Sequence, residues 1–477
     1  MPDRGATGQW IGLDAIPPAL TCPAMSDTAD GAPDAAGEAR SGRFAAFRHS
    51  SFVLYFLARL LTTFGAQILS VAVIWHIYEL TRSALYTGLV GLVQFLPLAL
   101  LVLVTGTAAD QFGRRLIMGL SIILAAACAA AMALLSWTGL ITPFLMLAIL
   151  AVFGVARAFL GPASSSLVVA LVPTRDFANA VTWNSSAWQA ATIIGPAVGG
   201  LLLGLGEAGF ANWLRENGQP AIADTLIGHG PEIAYLTGFV FMLAGALLIF
   251  SIPKPRSTPP RERPTLHNML EGFRFIWKQK IILGAISLDL FAVLMGGVIA
   301  LLPIYAEDIL KLGPEGLGWL RAAPGIGAIS VAALLAMFPI RDHAGIIMFI
   351  CVGIFGIFTV VFGFSTVAWL SILALILLGA ADMVSVVIRE TLLQLWTPDD
   401  VRGRVNAVNS VFVSASNELG EFRAGAMAHA IGPAAVGAVP AVVIGGAGAI
   451  AVAAIWAWIF PQLRRARHLD GSEGVVS

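Results

Sequence analysis

PKPRSTPPRERPTLHNMLEGFRFIWKQ, residues 253–279, is a polar stretch inside a strongly apolar chain of 477 residues. Its first half is rich in Pro and Arg, and its second half has an amphipathic pattern. Two apolar regions flank it, and each is long enough for six membrane-spanning helices of about 20 residues. The stretch therefore predicts a cytosolic linker between two six-helix halves.

The composition excludes an ordinary soluble protein. Hydrophobic residues make up 58% of the chain and charged residues only 12%, whereas soluble domains carry about a quarter charged residues. The mean hydropathy is +0.84, which indicates that lipid is the main solvent. The formal net charge is zero, which gives no reason to expect a nucleic-acid partner. The cysteines Cys22, Cys128 and Cys351 are scattered, which predicts neither a disulfide framework nor a metal site.

Twelve segments are long and apolar enough to cross a bilayer core of about 30 Å. They are 51–79, 84–109, 116–137, 142–171, 178–205, 232–252, 280–306, 316–339, 345–365, 367–396, 404–431 and 434–461. We therefore predict an all-α integral membrane protein, in which twelve transmembrane helices form two six-helix, pseudo-symmetric bundles. The alternative is eleven helices, if the hairpin near 365–367 is misread.

Basic residues indicate the orientation, because Lys and Arg are enriched in cytoplasmic loops. An even number of helices puts both termini on one side, where the loops and tails hold nineteen Lys and Arg residues. The loops on the other side hold three: Arg82, Arg215 and Lys311. We expect a multi-pass protein of the cell inner membrane with both termini in the cytoplasm.

The expected layout has five parts. Residues 1–50 have the composition of a disordered cytosolic tail without a signal peptide, and translation starts at Met1 or at Met25. The other expected parts are the N-terminal bundle at 51–252, the linker at 253–279, the C-terminal bundle at 280–461 and a cytosolic C-terminal tail at 462–477.

The two halves repeat one another. LVPTRDFANAVTWNS, from Leu171, is similar to LWTPDDVRGRVNAVNS, from Leu395. The alignment of these two stretches also pairs Gly200 with Gly425. Parallel repeats of six helices are the internal symmetry of one large class of membrane transporters.

The stretch GTAADQFGRR, Gly106 to Arg115, lies between the second and third predicted helices. It resembles the signature loop G-x-L-A-D-x-x-G-R-K of the major facilitator family. Gly106 and Gly113 permit a tight turn, Asp110 is suited to approach the positive end of a helix dipole, and Arg114 and Arg115 face the cytosol. The resemblance implies a latch on the cytoplasmic side, and an ordinary basic loop is the alternative.

Other stretches extend this resemblance. Gly195, Pro196, Gly199 and Gly200 are similar to part of the family's antiporter motif in helix 5, although simple close packing explains them equally well. LDLFAVLMGGVIALLPIYAEDIL from Leu288 and RGRVNAVNSVFVSASNELGEF from Arg402 resemble the enterobactin-exporter subfamily. Arg423 departs from that pattern, since a Glu is expected there. The resemblance implies alternating access and a siderophore or similar amphipathic cargo.

Ten charged residues fall inside predicted helices and away from the helix ends, where each costs a few kcal/mol and indicates function by default. Five are basic and five acidic, which suggests pairing: Arg59, Arg157, Arg321, Arg389, Arg423, Asp289, Asp382, Glu390, Glu418 and Glu421. A buried carboxylate beside an Arg stays ionised until the Arg moves, and then takes a proton. The first candidates for proton coupling are Asp289 and Asp382, and the second are Glu418 and Glu421. Structural ion pairs are the alternative.

Polar side chains at helical spacing predict the lining of a substrate cavity. The candidates are Arg59, Gln67, Arg157, Asn184, Trp188, Arg389 and Asn417. Arg157 and Asp382 occupy equivalent positions in the two repeats, so we expect them to face each other across the pseudo-twofold axis.

The sequence thus predicts a proton-driven exporter rather than an enzyme. It contains no G-x-x-x-x-G-K-[ST] loop and no metal-ligand spacing, so we expect no cofactor and no metal. The expected partners are a small-molecule cargo, protons and the lipid bilayer, and the expected state is a monomer. The alternatives are a broad-specificity multidrug/proton antiporter and a membrane sensor or scaffold that transports nothing.

Overall fold

The structure is a computed structural model that describes residues 43–253, 266–340 and 342–465. The side chains of 102, 103, 106–110, 266–270, 399 and 400 are not described. Most of the expected N-terminal tail, the first part of the linker and most of the C-terminal tail lie outside the described residues. Twelve long helices account for most of the described chain: α1 Ser50–Thr81, α2 Ala84–Phe112, α3 Arg114–Trp137, α4 Pro143–Leu171, α5 Thr174–Gly204, α6 Gly230–Ser251, α7 Lys280–Gly296, α8 Gly313–Met337, α9 Ala344–Phe364, α10 Ala368–Trp396, α11 Asp399–Ile431 and α12 Ala434–Ile459.

Eleven candidate membrane spans in the described residues are long and apolar enough to cross a bilayer. The twelfth long helix, α11, has 33 residues but carries Glu418, Glu421 and Arg423 and is therefore too polar to meet that criterion. It packs against α2, α7 and α12, so these charges have protein neighbours. The hairpin near 365–367 is real, because α9 ends at Phe364 and α10 begins at Ala368. The predicted number of twelve helices is therefore retained.

The seventh predicted helix, 280–306, is not continuous. The regular helix α7 ends at Gly296, and the chain continues through a 3₁₀ turn, Ile299–Leu301, to a π-helical turn, Tyr305–Ile309. Two consecutive glycines, Gly296 and Gly297, favour such a break, since glycine in a helix interior is destabilising.

Two further features differ from the sequence prediction. The loop between α5 and α6 contains two short helices, Ala208–Glu216 and Pro220–Leu226, which the sequence analysis did not predict.

Helix α2 runs to Phe112, so Gly106 lies within it and not in a turn. The turn is made at Gly113, whose φ of +90° favours glycine. The amphipathic half of the linker forms the helix Leu266–Lys278.

Two helix pairs join the halves at closely approaching glycines. Helix α5 packs on α8, and a Cβ added at Gly200 would lie 2.7 Å from the Cα of Gly318. Helix α11 packs on α2, and a Cβ at Gly88 would lie 3.1 Å from the Cα of Gly425. Gly200 and Gly425, which the sequence repeat aligns, therefore make equivalent contacts, as expected for pseudo-symmetric halves.

The halves also meet at the end of the molecule opposite the linker, which we call the opposite end. There Arg82, after α1, has Nη1 3.4 Å from Glu307 and 3.5 Å from Asp308 of the second half. The Tyr78 hydroxyl donates to Asp308. The α1 residues Ile68 to Tyr78, apart from Ser70, and the α7 continuation from Ala300 to Ala306 are almost entirely buried. The two halves are thus closed against each other at this end.

Candidate functional site

A polar cavity of about 300 Å³ lies between the two halves. Helices α1, α2, α4 and α5 line it from the first half, and α8 and α11 from the second. The lining residues are Arg59, Thr62, Thr63, Ala66, Gln67, Ser70, Ile74, Val90, Gln94, Phe153, Arg157, Leu160, Trp188, Arg321, Glu418 and Glu421. Its volume is at the lower end of the range of small-molecule sites, about 300–1,000 Å³.

Five charged residues of this lining form a group that we call the cavity cluster: Arg59, Arg157, Arg321, Glu418 and Glu421. Arg157 on α4 places Nη1 3.2 Å from Glu418 Oε1 on α11, so this ion pair joins the two halves. The same nitrogen donates to Gln94 Oε1 at 3.0 Å. Arg321 Nη2 on α8 donates to Ser70 Oγ on α1 at 2.7 Å, which makes a second polar link between the halves.

The two glutamates of the cavity cluster lie side by side against α2. A Cβ added at Gly91 would be 2.9 Å from Glu418 Oε2 and 3.1 Å from Glu421 Oε2. The absence of a side chain at Gly91 therefore makes room for both carboxylates. Two ionised carboxylates that approach the same point repel each other.

Arg59 differs from the other two arginines of the cavity cluster. Its Nε is shielded from solvent and has no hydrogen-bond partner, and its guanidinium makes no ion pair with any residue in the described ranges. Arg157 and Arg321, by contrast, are engaged by Glu418 and Ser70. The cavity thus contains three arginines and two glutamates. Among the described residues, Arg59 is the cavity arginine that has neither an ion pair nor a side-chain hydrogen bond.

A second charged group lies inside the second half, and we call Asp289, Asp382 and Arg389 the buried cluster. Arg389 on α10 forms an ion pair with Asp289 on α7, and these residues are only 3% and 5% exposed. Asp382, two turns before Arg389, interacts electrostatically with both. Glu390 lies at the edge of the cluster, 3.6 Å from Arg389 Nη2, and accepts a hydrogen bond of 3.0 Å from Asn409.

The structure separates several residues that the sequence placed together. Arg157 and Asp382 do not form the pair expected across the pseudo-twofold axis, because Arg157 pairs with Glu418 and Asp382 belongs to the buried cluster. Of the expected cavity residues, Arg59, Gln67, Arg157 and Trp188 line the cavity. Asn184, Arg389 and Asn417 do not. Arg389 is held inside the second half, and Asn417 Nδ2 donates to the Val413 carbonyl of its own helix.

Arg423 has a structural environment that its sequence position did not reveal. Its Nε donates to the Leu294 carbonyl at 2.9 Å, and Nη2 donates to the Met295 carbonyl. These carbonyls lie at the end of α7, where the break at Gly296 removes their helical partners. Arg423 therefore caps the interrupted helix. The double glycine in the sequence was the signal that could have indicated this role.

The signature stretch is held within the first half. Arg114 Nη1 donates to the Ser166 carbonyl of α4 at 3.0 Å. Arg115 Nε donates to the Ile249 carbonyl at 3.2 Å, near the end of α6, where a cation also complements the helix dipole. Gly106 and Asp110 fall among the residues whose side chains are not described, and the role expected for Asp110 stays a prediction.

The glycines of the helix 5 motif serve two interfaces. A Cβ at Gly195 would lie 2.6 Å from Gln67 Cβ, and one at Gly199 would lie 3.3 Å from Ile68 Cα, so these two allow α5 to approach α1. Gly200 and the Pro196 carbonyl instead face Gly318 on α8. The motif therefore connects a contact within the first half to the contact between the halves.

Two pseudo-symmetric six-helix halves around a central polar cavity define a multi-pass membrane transporter. The family model of the Major Facilitator Superfamily matches residues 55–342, and the chain belongs to this superfamily. It is a transporter and not an enzyme.

The similar proteins include a multidrug pump and a siderophore exporter. The chain is 27% identical over 397 residues to the multidrug efflux pump Tap of Mycobacterium tuberculosis, covering 81% of this chain and 88% of the relative. It is 25% identical over 432 residues to the enterobactin exporter EntS of Escherichia coli, covering 88% and 94%.

Solved transporters share the fold. A bacterial homologue of the human lysosomal transporter Spinster, in an inward-facing and unoccupied conformation, matches with a TM-score of 0.68 and 17% identity, covering 87% of this chain and 98% of that one. A D-xylose-proton symporter matches with a TM-score of 0.60 and 16% identity, covering 86% and 97%.

Proposed function

We propose that this transporter is a proton-driven exporter of a siderophore or a similar amphipathic small molecule, working by alternating access in the bacterial inner membrane. The observation that carries the proposal is the ion pair of Arg157 with Glu418. It lies in the central cavity, it joins the two halves, and a second carboxylate, Glu421, is beside it. An ion pair across a rocking interface has to break during the transport cycle.

The chemistry of coupling follows from this geometry. While Arg157 holds Glu418, the carboxylate is compensated and stays ionised. Movement of α4 away from α11 breaks the ion pair and leaves two adjacent carboxylates that can take up a proton. In our proposal the cargo binds while the ion pair is intact, and a proton taken up after cargo release returns the empty transporter. Cargo and proton are then bound in alternate states, which is the requirement for antiport.

Glu418 and Glu421 are our first candidates for the coupling site, because they line the cavity. Asp289 and Asp382, which the sequence ranked first, belong to the buried cluster inside the second half. There Asp289 forms an ion pair with Arg389 between α7 and α10, and Asp382 interacts electrostatically with both. We propose that their main role is to hold these helices together.

The direction of export depends on the orientation. The excess of basic residues on the linker side supports our proposal that this side faces the cytoplasm. The halves are closed at the opposite end, so the cavity in this state receives cargo from the cytoplasm. Export follows when the halves open at the opposite end.

A broad-specificity multidrug/proton antiporter is the second candidate. The aromatic side chains Trp188 and Phe153 line the cavity beside the charges, and Trp188 is 49% exposed. The similarity to a multidrug pump covers most of both chains. A non-transporting sensor or scaffold would need no carboxylate pair in a cavity.

The test is transport of a labelled catecholate siderophore in proteoliposomes, with and without a proton gradient, by wild type and Glu418→Gln. We expect gradient-dependent transport that is lost in Glu418→Gln, while Asp224→Asn, an acid outside the membrane helices, transports normally. If the siderophore is not transported but an apolar cationic dye is transported with the gradient, the result would favour the multidrug antiporter. Unchanged gradient dependence in Glu418→Gln would refute the coupling role of this residue.

A further inference from the structure

We propose that Arg59 is the anion-binding subsite of the cavity, and that the cargo is therefore an organic anion with an aromatic or apolar body. This inference rests on the proposed function, because it names the class of cargo that the same cavity exports. It makes Arg59 the residue that determines specificity between anionic and cationic compounds.

The first observation is the pairing of the three cavity arginines. Arg157 is compensated by Glu418, and Arg321 donates to Ser70 within 2.7 Å. Arg59 has no acidic partner among the residues in the described ranges, although it lines the cavity. A guanidinium in a cavity between membrane helices carries a large desolvation cost, so an anion from the cargo would stabilise it.

The second observation is that Arg59 Nε is shielded from solvent and has no hydrogen-bond partner. A buried donor left without a partner is destabilising. Among the described residues, no side-chain hydrogen bond holds the guanidinium, and the hydrogen bond one turn later, from Thr63 Oγ1, goes to the Arg59 backbone carbonyl at 2.7 Å. The guanidinium is therefore available to an anionic ligand.

The third observation concerns the surface at the level of Arg59. Helices α1 and α5 run parallel, and Gly195 packs on Gln67. Trp188 is seven residues before Gly195 and Arg59 is eight before Gln67, so the two residues lie at similar depths on their helices. Both line the cavity. A planar apolar body on Trp188 would carry its anionic group to Arg59.

The cavity charge agrees with this assignment. Three arginines and two glutamates leave one positive charge in excess, and Arg59 is the arginine that has neither an ion pair nor a side-chain hydrogen bond within the described chain. A cationic cargo would bring a further positive charge beside Arg59 and would have to compete with Arg157 for Glu418. An anion meets neither obstacle.

The test uses two probes with the same aromatic body and opposite charge, 1-pyrenebutyrate and 1-pyrenebutyltrimethylammonium. Their affinities for the full chain, purified in detergent, are measured by isothermal titration calorimetry for wild type, Arg59→Lys and Arg59→Gln. We expect wild type to prefer the anion. A hydrogen bond to a charged group contributes about 1.5–3 kcal/mol, so Arg59→Gln should weaken anion binding by at least about tenfold. Arg59→Lys should retain part of the affinity.

Two controls keep the result interpretable. Arg215→Gln removes an arginine outside the membrane helices, on the short helix Ala208–Glu216, and should leave both affinities unchanged. Arg59→Glu, if it elutes as a monodisperse protein, should bind the cation more tightly than the anion. A wild type that prefers the cation or binds neither probe, or an Arg59→Gln variant that binds the anion as tightly as wild type, would overturn the proposal.

This outcome is independent of the export mechanism. Equilibrium binding needs no gradient, so an absent anion preference with intact gradient-driven export refutes the Arg59 subsite alone. Anion binding that depends on Arg59, without any gradient-driven movement of cargo in proteoliposomes, refutes the proposed export instead.

Discussion

The cavity cluster and the buried cluster contain the same types of side chain, yet they lie in different mechanical positions. Arg157 and Glu418 belong to different halves, and the Arg157 side chain is 42% exposed. Arg389 and Asp289 belong to the same half, and both side chains are almost fully buried. Movement of one half against the other must strain the first pair and leaves the second intact. Charge inside a membrane protein therefore indicates function only together with its position relative to the moving interface.

The largest expected effect is a difference in stability between two variants, in which the same Arg→Met substitution is made once in each cluster. Arg389→Met leaves Asp289 buried without its partner, which costs about 3–5 kcal/mol, so we expect a strongly lowered melting temperature or no folded protein. Arg157→Met breaks a partly exposed pair and should cost less than about 1 kcal/mol. Thermal unfolding of both variants in detergent, followed by tryptophan fluorescence, measures the difference.

The double variant Arg389→Met with Asp289→Asn controls for the loss of side-chain packing. It should recover part of the stability, since no unpaired carboxylate remains at position 289. Equal melting temperatures for Arg389→Met and Arg157→Met would remove the distinction between the two clusters.

The second expected effect is on coupling. Glu421→Gln removes one of the two adjacent cavity carboxylates, and we expect the stimulation of transport by a proton gradient to fall at least about fivefold. Asp382→Asn, in the buried cluster, should retain most of that stimulation. Transport in proteoliposomes at several imposed gradients decides between them. If Asp382→Asn loses gradient dependence and Glu421→Gln keeps it, coupling belongs to the buried cluster.

The sequence predicted the fold more completely than the site, and the reason is physical. Apolar length, basic loops and the repeat of Gly200 and Gly425 are properties of the chain itself, and they predicted twelve helices in two halves. The partner of Arg157 depends on the packing of α4 against α11, which no local pattern contains. Helical spacing put Arg389 on a polar stripe, but it could not show that Asp289 would bind it inside one half. Arg423 capping α7 is likewise a contact between distant segments.

The third expected effect tests the spacing of the cavity carboxylates. Gly91→Ala places a methyl group where Glu418 and Glu421 now approach α2, within 2.9 and 3.1 Å. Both are ends of flexible side chains, so their displacement should cost roughly 1 kcal/mol, which corresponds to about fivefold in transport rate. Gly161→Ala, on α4, is the matched control, because a Cβ there meets nothing within 4 Å. Transport by Gly91→Ala at the wild-type rate would show that the carboxylates do not depend on this contact.

The smallest expected effect concerns closure at the opposite end, which decides from which side the cavity cluster can be reached. Partial burial and the carboxylates of Glu307 and Glu315 across the interface raise the pKa of Glu207 above its ordinary value. An acid whose pKa is raised by closure binds its proton more tightly in the closed state. Closure is therefore favoured at low pH, and this contribution is lost as the pH rises through the raised pKa of Glu207.

Thiol labelling of Ile74→Cys measures this closure, because Ile74 lines the cavity and is only 1% exposed in the closed state. In a background with Cys22, Cys128 and Cys351 replaced by Ser, an impermeant maleimide is added on the opposite side. Labelling is normalised to a cysteine at the exposed loop residue Asn217, which cancels the pH dependence of the thiol reaction. We expect the normalised rate to rise with pH by no more than about threefold, since partly exposed charges contribute little. Glu207→Gln should flatten this rise. A rise that persists in Glu207→Gln would assign the pH dependence to the other acids at this end, Glu79, Glu307, Asp308 and Glu315, and would refute the role of Glu207.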